Sequence, residues 1–341
     1  MKTLKLCFAL TLLFSATVAR AQMSAHYINV GQADSILLEF RGAAVLIDAG
    51  GEATGDDRDK NHLVAYLNQF FARRIDLQRK LAIIISHPHI DHTKSLGAVI
   101  QNFNVQRMID GGNQAGSGIG PLRAARNALG NRYRAVTDAR IIATGHSGLR
   151  PFPALMANSD IDLRILAASR GCENGNNDSL IVLVRYKRAG FLFVGDAETE
   201  EDSVCLGEIP ETIDFYNGTG LLDVDVYKVG HHGSRNATDE AFLATMTPKI
   251  AVISAGIQSQ RTPGNFHAFQ FGHPRENVVA LLEDTLSMNR APENFYTMAA
   301  AKKLKSPRRI SKALYCTCWD GDVVVSTNTD GSQFRVTTSG R

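Results

Sequence analysis

The run His87-Pro-His-Ile-Asp-His92 places three histidines and one aspartate within six residues, in a chain that has 10 histidines among 341 residues. Neutral imidazole and carboxylate groups are the ligands expected for Zn, Mn or Fe. The apolar run Leu81 to Ser86, which is typical of a buried strand, ends directly at this motif. A tight turn after such a strand would direct alternate side chains into one pocket. We therefore expect the first two histidines to share one metal ion, and Asp91 and His92 to reach a second.

Two later segments also place ligand-type residues at the end of an apolar strand. Asp196 follows Phe191 to Gly195, where burial of a carboxylate would be costly without a cation nearby. His231 and His232 follow the strand Val224 to Val229. We expect Asp196 to bridge two metal ions. One histidine of the pair is expected to ligate and the other to contact substrate or protonate a leaving group. The sequence does not distinguish them, and we assign His231 as ligand and His232 as catalytic.

Other polar residues lie close to these motifs in the sequence. Ser234, after Gly233, offers a hydroxyl donor to an oxyanion. His273, in Phe271-Gly-His-Pro274, is a candidate for substrate contact or structural support. Asp48 ends a strand and is expected to orient the metal-binding loop from behind the ligands.

The elements that must position these residues alternate between strands and helices. Short β-favouring runs at 26–30, 35–40 and 44–48 predict a meander, and apolar spacing predicts a helix over 60–73. Strand and helix patterns return at 179–194, 240–254 and 276–286, and a hairpin is predicted around Thr329 to Ser332. Thr238 is expected to cap the helix that begins at Glu240. The pattern predicts one α+β domain at residues 22–341, with two mixed sheets packed face to face and helices outside.

Residues 111–170 have weaker periodicity and begin with a glycine-rich stretch. We interpret this segment as an insertion, which is either a lid over the substrate or an elaboration of the surface. Within it, residues 121–170 hold eight arginines against three aspartates. Such a run is either a solvated face or a contact surface for a partner.

The N-terminal residues predict export. Lys2 and Lys5 precede an apolar run that ends at Ala19-Arg-Ala21, a pattern typical of a signal peptide over residues 1–21. The run is shorter than the roughly 20 apolar residues that a membrane span needs. We expect a periplasmic or secreted product with no stable membrane span after cleavage.

Charge and cysteine usage constrain function less. The formal charge of +3 equals the contribution of Lys2, Lys5 and Arg20 in the predicted leader, so global charge does not favour nucleic-acid binding. Four cysteines follow the leader, at positions 172, 205, 316 and 318. We predict a disulfide between Cys172 and Cys205 and a structural role for Cys316 and Cys318, since no further ligands lie near that pair.

The order of these motifs resembles the ComEC-like branch of the metallo-β-lactamase superfamily. The resemblance rests on Val30 to Ser35, Ile47 to Gly50, His87 to His92, Asn176 to Leu180, Val194 to Asp196, Lys228 to Ser234 and Gly272 to Pro274. It implies a four-layer αββα sandwich and a metal-bound hydroxide as nucleophile, with phosphate esters as the substrate class. Many superfamily members have a further metal-binding histidine where this chain has Asn176 and Asn177. ComEC-like proteins are similar to this chain in having asparagine there, and we interpret Asn177 as a substrate-binding residue.

The sequence thus predicts an exported phosphodiesterase or nuclease that uses one or two zinc ions, with Mn or Fe as other candidates and DNA among the candidate substrates. An alternative is a phosphorylcholine-type or other ester or lactam hydrolase, and a second is a non-catalytic metal-binding protein. The oligomeric state is not predicted. The candidate metal ligands are His87, His89, Asp91, His92, Asp196 and His231. The candidate catalytic residues are Asp91 and His232, the candidate substrate-binding residues are Asn177, Ser234 and His273, and Asp48 supports the ligands.

Overall fold

A computed structural model describes residues 23–52, 58–157, 160–169, 171–172, 175–200, 207–256, 268–299 and 304–340. The predicted signal peptide and Cys205 lie outside these ranges. Export and the pairing of Cys172 with Cys205 therefore remain predictions. None of the helices in the described ranges combines the length and apolar character that a membrane crossing needs.

Two mixed sheets form the centre of the fold. The first has eight strands among the described residues, in the order β16-β15-β1-β2-β3-β4-β5-β6, and the second has six, in the order β14-β11-β10-β9-β8-β7. Strands β12 and β13 form a separate hairpin. The strands are β1 Met23–Tyr27, β2 Ile36–Phe40, β3 Ala43–Ile47, β4 Lys80–Ile84, β5 Asn104–Asp110, β6 Tyr133–Ala135, β7 Ile161–Ala167, β8 Ile181–Tyr186, β9 Ala189–Phe193, β10 Val226–Lys228, β11 Ile250–Ile253, β12 Asn289–Met298, β13 Lys305–Lys312, β14 Leu314–Cys316, β15 Val323–Thr327 and β16 Phe334–Thr338.

Helices cover the outer face of each sheet. They are α1 Arg58–Arg73, α2 Ile90–Thr93, α3 Leu96–Asn102, α4 Ile119–Leu129, α5 Asp138–Ile142, α6 Pro153–Met156, α7 Glu208–Phe215, α8 Glu240–Met246, α9 Ala268–Phe271, α10 Glu276–Thr285 and α11 Thr317–Asp320. Apolar residues of α1, α3 and α4 pack on the outer face of the first sheet. Those of α7, α8 and α10 pack on the outer face of the second. The predicted α+β class and four-layer αββα arrangement are therefore confirmed.

The inner core lies between the two sheets and explains why the strands alternate. Alternate residues of each strand point toward the other sheet and meet in one apolar cluster. Examples are Leu38 and Val45 in the first sheet and Val184 and Phe191 in the second. The residues between them point to the opposite face, and those such as Leu37 and Leu46 join the outer cluster beneath the helices. Both faces of each central strand are thus buried, and the strands form nearly continuous apolar runs.

The segment 111–170 is more regular than its composition suggests. Helix α4 buries Leu122, Ala125 and Leu129 in the first outer cluster, and β6 extends the first sheet as a parallel partner of β5. Strand β7 then pairs with β8 in the second sheet. Short elements with glycine at their boundaries conceal this regularity in the sequence.

Two local predictions have different outcomes. Helix α8 is capped by Asp239, whose carboxylate accepts a hydrogen bond from Phe242 N at 2.8 Å, so the prediction of Thr238 as cap is wrong by one residue. Cys316 and Cys318 form a disulfide with each other. Because both sulfur atoms are joined in this bond, the pair serves structure, as predicted, and does not bind metal.

Candidate metal centre

The candidate ligands lie where strands of both sheets end. Asp48 follows β3 and His87 follows β4, two parallel neighbours in the first sheet. Asp196 follows β9 and the pair His231 and His232 follows β10, two parallel neighbours in the second sheet. Because the sheets pack face to face, the carboxyl ends of these strands form one site from residues far apart in sequence.

Gly50 allows the histidine-rich loop to approach the meander closely. A Cβ atom at this position would lie 1.8 Å from the backbone oxygen of Asp91, a distance that no side chain can adopt. Asp34 N donates to Asp91 O at 3.1 Å, and Ala49 N donates to His92 O at 2.9 Å. The backbone of the loop is therefore held by hydrogen bonds to the meander.

Asp196 lies at the centre of the site. Its Oδ2 atom is 3.3 Å from His92 Nε2 and 3.5 Å from His232 Nε2. The same oxygen is 3.9 Å from Nε2 of His87 and from Nε2 of His231. One carboxylate thus faces four imidazoles, which is the placement expected of a group that bridges two metal positions.

His87 and His89 lie on one side of Asp196. Nε2 of His87 and Nδ1 of His89 are 3.0 Å apart, so the two rings share a hydrogen bond. Ser86 Oγ lies 3.1 Å from the other ring nitrogen of His87. Two ring nitrogens at this separation can also face a single cation, so His87 and His89 remain candidate ligands on this side.

His92 is held on the opposite side by Asp48. Nδ1 of His92 lies 2.8 Å from Asp48 Oδ2, and the same carboxylate accepts hydrogen bonds from Ser86 N and Ser86 Oγ, each at 2.7 Å. Donation from Nδ1 leaves Nε2 as the atom that faces Asp196. The structure places Asp48 behind the ligand, as the sequence-based interpretation requires.

His231 and His232 have left-handed backbone conformations, with φ of 47° and 54°. Such φ values are uncommon for residues other than glycine and often mark functional positions. His232 is buried, its Nδ1 lies 2.8 Å from Ser254 O, and its Nε2 lies 3.4 Å from Asp91 Oδ2. The side chain of His231 is 22% exposed, and its Nδ1 is 3.2 Å from Glu198 Oε1. Of the two, His232 is therefore the more deeply integrated into the cluster.

Three buried ligand-type atoms make no hydrogen bond of good geometry among the described residues, although the two nitrogens lie 3.3 to 3.5 Å from carboxylate oxygens. They are Nε2 of His92, Nε2 of His232 and Oδ1 of Asp196, and all three are buried. Buried polar atoms are normally satisfied, so such a group calls for an explanation. One ligand atom each from Asp34, His92, Asp196 and His232 also lie within 4.8 Å of one another. Nitrogen and carboxylate donors at this separation fit a divalent cation.

Asp34 and Lys228 were not among the candidates from sequence. Lys228 Nζ lies 2.5 Å from Asp34 Oδ2 and 3.3 Å from the backbone oxygen of Gly195. Asp34 Oδ2 is also 3.9 Å from His92 Nδ1. The signal available in the sequence was a lysine inside the apolar strand β10, because a charge in such a position needs a buried partner.

The charges within the cluster depend on one another. Burial lowers the pKa of His92, but Asp196 and Asp48 outweigh burial and hold that pKa well above its usual range. Burial raises the pKa of Asp196, but His232, His92 and His231 together hold it well below its usual range. Protons and a cation would therefore compete for the same cluster, as in other sites of this kind.

A cleft of about 200 Å³ opens above the cluster. It is lined by Gln32, His89, Ile90, Asp91, Ser117, Asn176, Asp196, His231, His232, Phe271 and His273. Nδ1 of His273 lies 3.0 Å from the Gln32 side-chain nitrogen, so the amide fixes the ring at the wall of the cleft. The structure thus brings His273 to the position expected of a substrate-contacting residue.

Asn177 and Ser234 differ from expectation in their placement. The Asn177 side chain accepts hydrogen bonds from the backbone nitrogens of Glu198 and Glu208 and donates to Glu200 O. These bonds use the amide to hold neighbouring loops, and Asn176 lines the cleft in its place. Ser234 is half-buried and does not line the cleft.

Most arginines of the segment 121–170 are engaged within the protein. Arg126 pairs with buried Asp110 at 2.8 Å, and Arg150 and Arg164 share Asp162. Arg132 and Arg140 donate to backbone oxygens. These five arginines make ion pairs or hydrogen bonds within the protein, an outcome that neither sequence-based alternative, a solvated face or a partner surface, anticipated.

The chain is similar in sequence to known proteins. The sequence model of the metallo-beta-lactamase superfamily matches residues 28–114, which include Asp34, Asp48 and the histidine-rich loop. ComE operon protein 3 of Bacillus subtilis is 24% identical over 293 residues, which are 81% of this chain and 33% of that protein. Recombination protein 2 of Haemophilus influenzae is 22% identical over 292 residues, which are 85% of this chain and 31% of that protein. The chain thus spans about a third of the length of these curated relatives.

Solved structures are similar at a lower level. The diiron β-hydroxylase CmlA from Streptomyces venezuelae matches with a TM-score of 0.39 and 14% identity, over 68% of this chain and 44% of that one. A diphosphatase of the PhnP family matches with a TM-score of 0.38 and 12% identity, over 85% and 99%. The sequence matches support a ComEC-like member of the metallo-β-lactamase superfamily, and the αββα layers around the histidine and aspartate cluster are consistent with that fold.

Proposed function

We propose that this chain is an exported, metal-dependent phosphodiesterase, with a nuclease as the first subclass. The observation that carries the proposal is the buried cluster of His92, Asp196 and His232, in which Nε2 of each histidine lies 3.3 to 3.5 Å from Asp196 Oδ2 beside an open cleft. These atoms suit one divalent cation, with zinc as the first candidate. When bound, such a cation supplies Lewis acidity and makes water acidic enough to act as a nucleophile near neutral pH.

The residues of the chain divide into distinct roles under this proposal. His92, His232 and Asp196 hold the cation, with Asp91 beside His232 at 3.4 Å. This proposal reverses the sequence-based assignment of His231 and His232, because the side chain of His232 is 2% exposed whereas that of His231 is 22% exposed. The carboxylate of Asp91 accepts a proton from water. His231 lies at the cleft wall, where it can approach the leaving oxygen of a substrate.

A second metal position on the side of His87 and His89 would have fewer ready donors. Asn176 lines the cleft where many superfamily members have a further histidine, which leaves His87 and His89 as the histidine donors on that side. We therefore propose one tightly held cation at His92, Asp196 and His232. A second cation would bind more weakly at His87 and His89.

The phosphodiester class rests on similarity. One curated relative is called a recombination protein, a name that concerns DNA, and the motifs resemble the phosphoesterase side of the superfamily. The cleft is open and its walls combine Asn176, Ser117 and His273 with the aromatic ring of Phe271. Polar donors of this kind suit the oxygens of a phosphate, and an aromatic ring suits a base.

The first test is hydrolysis of a chromogenic phosphodiester by the mature chain, stripped of metal and then resupplied with Zn or Mn. We expect turnover to return with metal and to be lost in Asp196→Ala with the fold intact. Asp110→Asn is the matched control, because Asp110 is an equally buried carboxylate that pairs with Arg126 outside the site. Stoichiometric metal binding without turnover on any metal would refute the phosphodiesterase and favour another ester substrate or a binding role.

The subclass and the location each need their own measurement. Hydrolysis of DNA should fall steeply as salt is raised, because binding to a polyanion releases counterions, whereas hydrolysis of a small ester should not.

Export predicts a mature chain that begins at Gln22, which N-terminal sequencing of the periplasmic or secreted protein would test. A chain that retains residues 1–21 in the cytoplasm would refute export.

A further inference from the structure

Thr317 uses one hydroxyl to satisfy both backbone groups of Ala255. Its Oγ1 donates to Ala255 O at 2.9 Å and accepts from Ala255 N at 2.9 Å. Strands β11 and β14 are parallel neighbours whose last pair is Ile253 and Cys316. The hydroxyl therefore continues the pairing of these strands beyond the point where their own ladder ends. Both residues are buried, so water is not available to replace these bonds.

The two cysteines of a disulfide flank Thr317 in the sequence. Cys316 and Cys318, the residues on either side of it, are bonded to each other. The loop is also held by Asp320, which accepts a hydrogen bond from Cys316 N at 3.0 Å and pairs with Arg290 at 2.7 Å. The covalent ring and these contacts restrict the positions that the Thr317 side chain can take.

The segment that Thr317 holds is the one that orients His232. Ser254 immediately precedes Ala255, and its backbone oxygen lies 2.8 Å from His232 Nδ1. This contact directs Nε2 of His232 toward Asp91 and Asp196. A displacement of residues 254 and 255 would therefore move the acceptor that sets the ring orientation of His232.

We infer that Thr317, constrained by the Cys316–Cys318 disulfide, is a positioning residue for the metal ligand His232. The inference rests on the proposed metal site but not on any substrate. Hydrogen-bond partners behind a metal ligand fix the tautomer and orientation of that ligand, and their loss usually weakens metal binding about 10-fold to 100-fold. Thr317 acts one contact further away, so we place its effect near the lower end of that range.

The test compares Thr317→Val with Thr317→Ser in the mature chain. Valine keeps the shape but removes the hydroxyl, whereas serine keeps the hydroxyl. Zn²⁺ affinity is measured by competition with a chromogenic chelator, and Co²⁺ absorption reports the geometry of the bound ion. We expect Thr317→Val to weaken Zn²⁺ binding about 10-fold and to change the Co²⁺ spectrum. Thr317→Ser should remain close to the wild type in both measurements.

Thr212→Val is the matched control. Thr212 is also buried, and its hydroxyl donates to Glu208 O within α7. This hydroxyl bonds within its own helix and does not contact the candidate ligands. This variant should lower the melting temperature without changing Zn²⁺ affinity or the Co²⁺ spectrum.

The disulfide is tested by Cys316→Ala combined with Cys318→Ala. We expect Zn²⁺ binding to weaken, and we expect Thr317→Val to add little further loss in this background, because both changes act through Ala255. The comparison of valine with serine at position 317 retains both cysteines, so it remains valid even where the cysteine variant does not fold.

The inference would be overturned if Thr317→Val matched the wild type in both Zn²⁺ affinity and Co²⁺ spectrum. If Thr317→Val lowered only the melting temperature, Thr317 would have a purely structural role. Failure of the proposed phosphodiesterase has a different signature. It would appear as an inactive wild type, whereas these measurements use the metal alone and need no turnover.

Discussion

Lys228 Nζ lies 2.5 Å from Asp34 Oδ2, and each of these two side chains is only 1% exposed. Lys228 belongs to β10 of the second sheet, whereas Asp34 precedes β2 of the first. The ion pair therefore joins the two halves of the sandwich directly beneath the candidate metal centre. Because the ammonium group already engages Asp34, we consider this carboxylate a support of the site and not one of its ligands.

The first prediction follows from the burial of this pair. Lys228→Met and Asp34→Asn should each lower the free energy of unfolding by about 3 to 5 kcal/mol, because each leaves a buried charge without a partner. The double variant should be more stable than the sum of the two single effects indicates. Urea unfolding of the four proteins measures the cycle. Strict additivity would show that the two groups do not interact.

The second prediction concerns Asp48 and the orientation of His92. Asp48→Asn replaces one carboxylate oxygen by an NH₂ group, which cannot accept a hydrogen bond. Three groups donate to this carboxylate, namely Ser86 N, Ser86 Oγ and His92 Nδ1. We expect Zn²⁺ affinity to fall about 10-fold to 100-fold. Asp110→Asn, which disrupts a buried carboxylate away from the site, should lower stability but leave Zn²⁺ affinity unchanged. Equal Zn²⁺ affinity in Asp48→Asn and the wild type would exclude this supporting role.

The sequence predicts well what depends on local periodicity and on strand ends. Strands β2, β3 and β4 and helix α10 are found within two residues of their predicted bounds. The histidine-rich loop could be located because ligands that follow an apolar strand must lie at the edge of a sheet. The layers followed from the alternation of strand and helix, since each sheet buries two faces.

Features that depend on distant residues could not be predicted in this way. The sequence predicts that Asn177 faces substrate, but its partners include backbone groups of residues 198 and 208, and no local pattern reveals such contacts. The choice between His231 and His232 depends on two left-handed residues that turn the side chains in different directions. The partner of Lys228 lies 194 positions earlier in the chain, so the pair is visible only in the fold.

The third prediction separates the two adjacent histidines. A ligand that binds only the folded state raises the free energy of unfolding, by about 2.7 kcal/mol at a concentration 100 times its dissociation constant. Zn²⁺ should therefore stabilise the wild type and His231→Ala, but stabilise His232→Ala much less. Thermal unfolding with and without chelator provides the measurement. The opposite order would restore His231 as the ligand.

The fourth prediction concerns pH and lies outside the site, at Glu39 of β2. Burial raises the pKa of Glu39, but hydrogen bonds with His26, Arg73 and Arg74 outweigh it and hold the pKa well below its usual range. A carboxyl whose pKa is lower in the folded state stabilises the fold above its unfolded pKa, and this contribution is lost as the pH falls.

Glu39→Gln should therefore lower the free energy of unfolding by about 1 to 3 kcal/mol at pH 7. The difference from the wild type should shrink progressively below about pH 4, where the unfolded carboxyl takes up a proton. Urea unfolding at a series of pH values measures it. Glu293→Gln is the control, because the side chain of Glu293 is 62% exposed and contributes little through its contact with Arg290. A difference that stays constant from pH 7 to pH 3 would show that Glu39 stabilises the fold through packing and not through its charge.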